Sequence, residues 1–299
     1  MDIVLPTPGT YILAISGGVD SRVLLDILHK RTSVKSYTYV IAHLDHGIRE
    51  DSHADSLFAN ELAKKYNDSF ENKTINLGSN ASEEQARNER YSFLQEIQKK
   101  YKADAVITAH HQDDVIETAI INLIRGSGRK GLSSLKSQDG LLRPLLNVSK
   151  KELIEYAKLN ELTWREDSTN KDENYLRNYV RKNIVSKFSV DDRQKFLDIL
   201  KSAQTTNIEL DELLDNVVNE QAENKTIDRA WFNGLSHALA KETMATWLRT
   251  NNHSNFDSKT LERLVVAAKS AKAGQSFPVI NNAMLHVTRD KLALELAER

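Results

Sequence analysis

The chain has 299 residues, 40% hydrophobic and 28% charged, with a formal net charge of −1 and no cysteine. That length buries a sizeable core and predicts two domains, and the missing thiols exclude disulfides, thiolate zinc sites and cysteine nucleophiles. No apolar run approaches a membrane span and no basic-then-apolar leader opens the chain, so no membrane partner and a cytoplasmic location are expected; a nucleic-acid partner of so neutral a chain needs a local basic patch.

Residues 11–15 are apolar and partly β-branched, which predicts a short buried strand. Ser16-Gly17-Gly18-Val19-Asp20-Ser21 follows, and residues 22–30 carry Val23, Leu24, Ile27 and Leu28 at helical spacing. Strand, Gly turn and helix in that order aim free backbone N–H groups and the positive end of a helix at one point, where an anion can sit. Ser16 and Ser21 add hydroxyl donors. A carboxylate beside phosphates repels them unless a cation intervenes, so Asp20 reads as linked to Mg²⁺. The G-x-x-x-x-G-K-[ST] spacing of a Walker loop is not present.

Residues 34–42 predict a second strand, with His43-Leu44-Asp45-His46-Gly47-Ile48-Arg49 at its end, where parallel sheets bind ligands. His43, Asp45 and His46 are metal-ligand types with no further close ligand in the sequence. Helices are expected over 51–66 and 82–100. Arg87 and Arg90 share a face of the second helix, either as a solvated edge or as a clamp for phosphate or carboxylate.

Residues 105–109 predict the next strand, ending in His110-His111-Gln112-Asp113-Asp114-Val115-Ile116-Glu117-Thr118. Asp114 and Glu117 lie three apart at a helix start and so on one side. They either cap the helix or hold Mg²⁺ or an ammonium group. From 125 to 151 seven Lys/Arg stand against one acid, Asp139. Arg125, Arg129 and Lys130, interleaved with glycines, suit phosphate contact; a solvated basic loop is the plainer alternative. Ser149 is the expected N-cap of a helix over 150–159. Arg177 and Arg181 lie four apart on one helical face, either as a second nucleic-acid contact or on a helix that joins two domains.

Strands alternating with helices imply an α/β fold with a doubly wound, mainly parallel sheet. After residue 188 the pattern changes to a long amphipathic helix over 196–218, then helices over 230–235, 238–251 and 259–272. A hairpin over 277–288, turning at Asn281-Asn282, and a strand over 292–296 close the chain. The expected division is a catalytic domain over 1–187 and a smaller helical domain over 188–299 that ends in a short β hairpin or sheet.

SGGVDS, HLDHGIR, HHQDDVIET, IRGSGRKGL, RPLL, EDSTN and YLRNYVR, in this order, resemble tRNA(Ile)-lysidine synthetase of the N-type ATP pyrophosphatase (PP-loop) superfamily over residues 10–185. Two departures exist: Thr169 stands where the family usually has Ser, and the proline often found after the RNxxR pattern is absent. The resemblance implies a ligase of tRNA modification. With ATP it adenylates the C2 oxygen of the wobble cytidine of an isoleucine tRNA with a CAU anticodon. L-lysine then displaces AMP to give lysidine. Carried over, Ser16, Gly17, Gly18, Val19, Asp20 and Ser21 bind ATP and Asp20 also meets Mg²⁺. Asp114 and Glu117 face the lysine substrate. His110, Asp113 and Arg87 join Asp20 at the reacting centre. Arg125, Arg129, Lys130, Arg177 and Arg181 are the expected tRNA contacts, and a homodimer is among the expected assemblies.

Three rivals remain. A tRNA thiolase would pass sulfur through cysteines, which the chain does not have. A metal-dependent phosphoesterase would use His43, Asp45, His46, His110 and Asp113 and need no SGGVDS loop. A non-catalytic tRNA-binding protein would not need Asp20, Asp114 and Glu117.

Overall fold

The computed structural model describes residues 1, 3–32, 36–45, 47, 52–78, 83–165, 176–223, 225–254, 256–280 and 283–296. Two compact units divide it, residues 1–203 and 204–299.

In the first unit, strands β1 (Gly9–Ala14), β2 (Tyr37–Asp45), β3 (Ser69–Thr74), β4 (Ala105–Ile107) and β5 (Leu141–Leu142) form one sheet in the order β3-β2-β1-β4-β5. Every neighbouring pair is parallel. Alternate residues of β1 point to opposite faces. Tyr11 and Leu13 pack with Val23, Leu24 and Ile27 of α1 (Val19–Arg31), Ala59 and Leu62 of α2 (Ser52–Tyr66), and Leu153 and Ala157 of α6 (Lys150–Leu159). Ile12 packs on the other side with Phe93, Leu94 and Ile97 of α3 (Glu83–Tyr101). Helices therefore cover both faces, as the doubly wound expectation requires. Ser149 caps α6, as expected, and does so in a reciprocal box with Glu152.

Strand β3 was not legible as a strand. Its sequence SFENKT carries Glu71 and Lys73 and is half open to solvent, because edge strands use charge to discourage further pairing. A separate cluster joins Ile116, Ile120 and Ile121 of α4 (Gln112–Ile124) to Val180 of α7 (Leu176–Asn183) and to Val185. The short α5 (Arg129–Leu132) lies between β4 and β5 in sequence.

Helix α8 runs from Val190 to Gln221. The change of unit falls at 203/204, inside this helix, whereas the change of sequence pattern sets it at 187/188. The second unit holds α9 (Arg229–Gly234), α10 (His237–Thr250) and α11 (Ser258–Ser270). Its antiparallel sheet has the order β6-β7-β10-β9-β8, from β6 (Ala222–Glu223), β7 (Thr226–Asp228), β8 (Gln275–Pro278), β9 (Ala283–Val287) and β10 (Lys291–Leu296). The expected hairpin and third strand are β8, β9 and β10; its turn, Asn281-Asn282, lies outside the described residues. Phe232, Met244, Trp247, Leu264, Leu285 and Leu292 fill the core. Among the described residues no helix is long and apolar enough to cross a membrane.

Candidate active site

Strand order reverses at β1, with β2 and β3 to one side and β4 and β5 to the other. Ligands of open α/β sheets bind outside the carboxyl ends of the strands at such a reversal. The two segments leaving that point are Ser16–Ser21, after β1, and Thr108–His111, after β4.

The first is a tight loop. Gly17 has φ +86°, a conformation that costs glycine little and other residues strain. Its carbonyl accepts from the Arg165 N–H at 3.0 Å. The Ser16 and Ser21 hydroxyls lie 3.3 Å apart, and the Ser21 hydroxyl donates to the Gly18 carbonyl at 3.1 Å. Gly18, the N-cap of α1, makes no side-chain cap hydrogen bond. Such a helix start favours an anion.

The second segment starts α4. His111 is the N-cap, and its Nδ1 accepts from the Asp113 N–H at 3.2 Å. The other ring nitrogen, Nε2, lies 3.7 Å from Asp20 and 3.5 Å from Asp114. In return Asp114 accepts from the His111 N–H at 2.9 Å. Burial opposes ionisation of Asp114, but His111, His110, that backbone bond and Arg181 together hold its carboxyl below the usual range. His110 is hydrogen-bonded through Nδ1 to the Thr108 hydroxyl at 2.8 Å. Burial, aided by Arg143, Arg87 and Arg177 and opposed by Asp114, lowers its pKa to about 4, so the imidazole is neutral at pH 7.

Glu117, one turn further on, is wholly buried. Arg181 clasps it from α7, Nε to Oε1 at 2.6 Å and Nη2 to Oε2 at 2.9 Å, and reaches Asp114 at 3.5 Å. Burial lifts the Glu117 pKa above the ordinary value and Arg181 works against it. A bidentate guanidinium pair of this kind is among the stronger charge-assisted contacts. Asp113 pairs with Arg193 of α8, Oδ1 to Nη1 at 2.7 Å and Oδ2 to Nη2 at 3.3 Å. Asp20, in the first turn of α1, receives the Lys150 ammonium on both oxygens, at 2.7 and 2.8 Å.

The structure thus gathers Asp20, His110, Asp113, Asp114 and Glu117 around one point. Arg87 is exposed on α3, 5.1 Å over the Tyr91 ring, and its charge reaches His110. Arg181, grouped in the sequence with Arg177 as a phosphate contact, instead meets the buried acids. Arg125 ends α4, and Arg129 and Lys130 open α5. At 1.5 Å per residue, eleven residues of helix set Arg125 about 16 Å from Asp114. His43 is tied to the Ile15 carbonyl at 2.8 Å, and Asp45 accepts from the Gly47 N–H. His46, Ile48 and Arg49 of the HLDHGIR motif lie outside the described residues, as do Glu166 to Asn170 and Tyr175. Among the described residues no three His, Asp or Glu side chains group as a metal site.

Lys150, Arg193, Arg165 and His111 belong to this site and were not singled out by sequence reasoning. One signal existed for Lys150: a cation directly after the N-cap Ser149 opposes the helix dipole. Arg165 pairs with Asp55 beside the loop.

A family model described as a PP-loop domain matches residues 5–188. The chain belongs to the PP-loop domain family. Proteins named tRNA(Ile)-lysidine synthase resemble this PP-loop chain. That of Francisella tularensis subsp. holarctica (strain OSU18) is 27% identical over 97% of this chain and 74% of its own length. That of Bacillus cereus (strain ATCC 10987 / NRS 248) is 36% identical over 73% of this chain, which spans 49% of that protein. The Thermotoga maritima protein is 36% identical over 59% of this chain and 45% of its own length. Among solved structures, a U34-tRNA thiolase from Methanococcus maripaludis matches 66% of this chain and 74% of its own, with TM-score 0.49 and 21% identity.

Proposed function

We propose that this PP-loop protein uses ATP to join L-lysine to C2 of the wobble cytidine of an isoleucine tRNA with a CAU anticodon. The observation that carries the reading is the meeting, at one sheet reversal, of an anion-seeking helix start with a cluster of buried carboxylates. The first suits a triphosphate; the second suits a cationic amino acid. The curated relatives' name, tRNA(Ile)-lysidine synthase, supports the tRNA part of the reading, and the PP-loop domain match supports ATP.

In the first step the C2 oxygen of the cytidine attacks the α-phosphorus of ATP and the bond to pyrophosphate breaks. The N–H groups at the start of α1 and the hydroxyls of Ser16 and Ser21 hold the phosphates, and preorganised donors of this kind stabilise charge that develops in the transition state. Arg87 supplies further positive charge. The donor set at the loop fits Mg²⁺, which binds through one or two carboxylates together with substrate phosphates. Asp20 offers such a carboxylate, and the ion would neutralise phosphate charge there.

In the second step the side-chain amine of lysine attacks C2, loses a proton, and AMP leaves. Asp114 faces the substrate and draws its ammonium. Glu117 acts through Arg181, which it fixes against Asp114. His110 stays uncharged at neutral pH and adds no repulsion. Arg125, Arg129 and Lys130 bind tRNA phosphates away from this pocket, and Arg177, whose charge reaches His110 and Glu117, meets a phosphate at its edge. Phosphate contacts of that sort position a nucleic acid without reading bases.

A pyrophosphate-release assay with each substrate omitted in turn tests the reading. Release that needs ATP and isoleucine tRNA supports it. Phosphate-ester hydrolysis without ATP would instead return the protein to the phosphoesterase class, and silence in every mixture to a non-catalytic binder.

A further inference from the structure

The start of α6 meets the starts of α1 and α4. The Lys150 N–H lies 3.3 Å from Asp113 and the Gln112 N–H donates to the Val148 carbonyl at 2.9 Å, so α4 and α6 begin side by side. Lys150 is the first residue of α6. A cation is disfavoured there, because the aligned peptide dipoles already give that end partial positive charge. Asp20 offsets the penalty from 130 residues away, with both oxygens on the ammonium. The pair is not sealed, since the side chains are 38% and 27% exposed.

A carboxylate at a phosphate loop and the cation that covers it form an exchangeable unit. Incoming phosphates offer the ammonium more negative charge than Asp20 does and repel the Asp20 carboxylate. We propose that Lys150 is a triphosphate-binding residue, which leaves Asp20 for the β- and γ-phosphates of ATP. The inference rests on the ATP reading above and adds a residue that the loop motif does not contain. Leaving Asp20 frees that carboxylate to face Mg²⁺. Once pyrophosphate departs, Lys150 and Asp20 pair again, and AMP gains nothing from the ammonium.

Calorimetric binding of α,β-methylene-ATP and of AMP to the full chain, in EDTA and in Mg²⁺, tests this. Lys150→Met should weaken α,β-methylene-ATP by about tenfold or more, the effect of removing one charge-assisted hydrogen bond, and leave AMP within about twofold. Lys150→Arg, which keeps the charge, should retain most of the affinity. Lys150→Gln replaces the Met variant should that one not fold. Equal losses on both ligands, or none on α,β-methylene-ATP, overturn the proposal and leave the ATP reading standing. Wild-type protein that binds neither nucleotide overturns both.

Discussion

Helix α1 carries two acids, Asp20 and Asp26, that the fold treats in opposite ways. Asp26 is buried and closed. It accepts from the Tyr66 hydroxyl at 2.8 Å and the Tyr156 hydroxyl at 2.9 Å, and pairs with Lys30 at 2.8 Å. Burial opposes its charge, but those bonds hold its carboxyl below the usual range. Arg22, almost fully buried, lies 3.9 Å away. Asp20 stands in the first turn, more open, and its ammonium partner sits on another helix start. A carboxylate with every partner fixed by the fold serves stability. One that faces a sheet reversal and is partnered from another helix start is, on the proposed reading, the one that serves a ligand.

Each acid can be removed to break that contrast. Asp20→Ala should lower pyrophosphate release by about 100-fold or more, the scale of losing one charge-stabilising group, while tRNA binding and the thermal midpoint stay near wild type; wild-type release would refute the assignment. Asp26→Ala strands a buried guanidinium and two hydroxyls, so it should cost about 2–4 kcal/mol in denaturant unfolding with ATP affinity unchanged. A loss of nucleotide binding there, at full stability, would erase the distinction between the two acids.

Asp114 sharpens the comparison from the substrate side. Asp114→Asn should raise the apparent lysine KM by the loss of about 1.5–3 kcal/mol of charge-assisted binding, with adenylate formation preserved. Failure of adenylation in the absence of lysine would assign this acid to the nucleotide.

His110 gives a pH signature of the same pocket. Its folded pKa, about 4, lies below the unfolded value of 6.5, so the unfolded chain takes up the proton first as pH falls. Stability should decline between pH 6.5 and about 4 and level off below. His110→Asn should flatten that decline, and an unchanged slope would show that the ring titrates elsewhere. The smallest expected effect belongs to Arg129 and Lys130. Their double replacement by Ala should weaken all tRNAs alike and flatten log K against log salt by about 0.7–0.9 for each phosphate no longer neutralised. Titrations of isoleucine and methionine tRNAs at several salt concentrations measure it, and an unchanged slope would leave the segment a solvated loop.

Strands β1, β2 and β4, the loop after β1 and the acids of α4 were legible because each is local: a strand pattern, a Gly turn, a helix start. Pairings across long stretches of chain were not. Charge counting merely included Lys150 among the seven cations of residues 125–151, yet it meets Asp20 across 130 residues. Arg181 was read with Arg177 by helical spacing, yet it closes on Glu117 across 64 residues. Arg193 lies where the sequence shows no constellation, and it reaches Asp113 across 80 residues. Residue types say which charges exist; only packing decides which pairs form. Burial is equally invisible, so the neutrality of His110 and the enclosure of Glu117 had no counterpart in spacing.

The central claim is that the ATP loop and the acidic pocket serve one reaction on one tRNA. Incubation of the protein with ATP, labelled lysine and isoleucine tRNA, followed by nucleoside mass spectrometry, tests it most directly. The account predicts one lysine joined to the wobble cytidine for each AMP formed, and no incorporation by Asp20→Ala. AMP and pyrophosphate produced without lysine entering the tRNA, or lysine entering it without ATP, would contradict it.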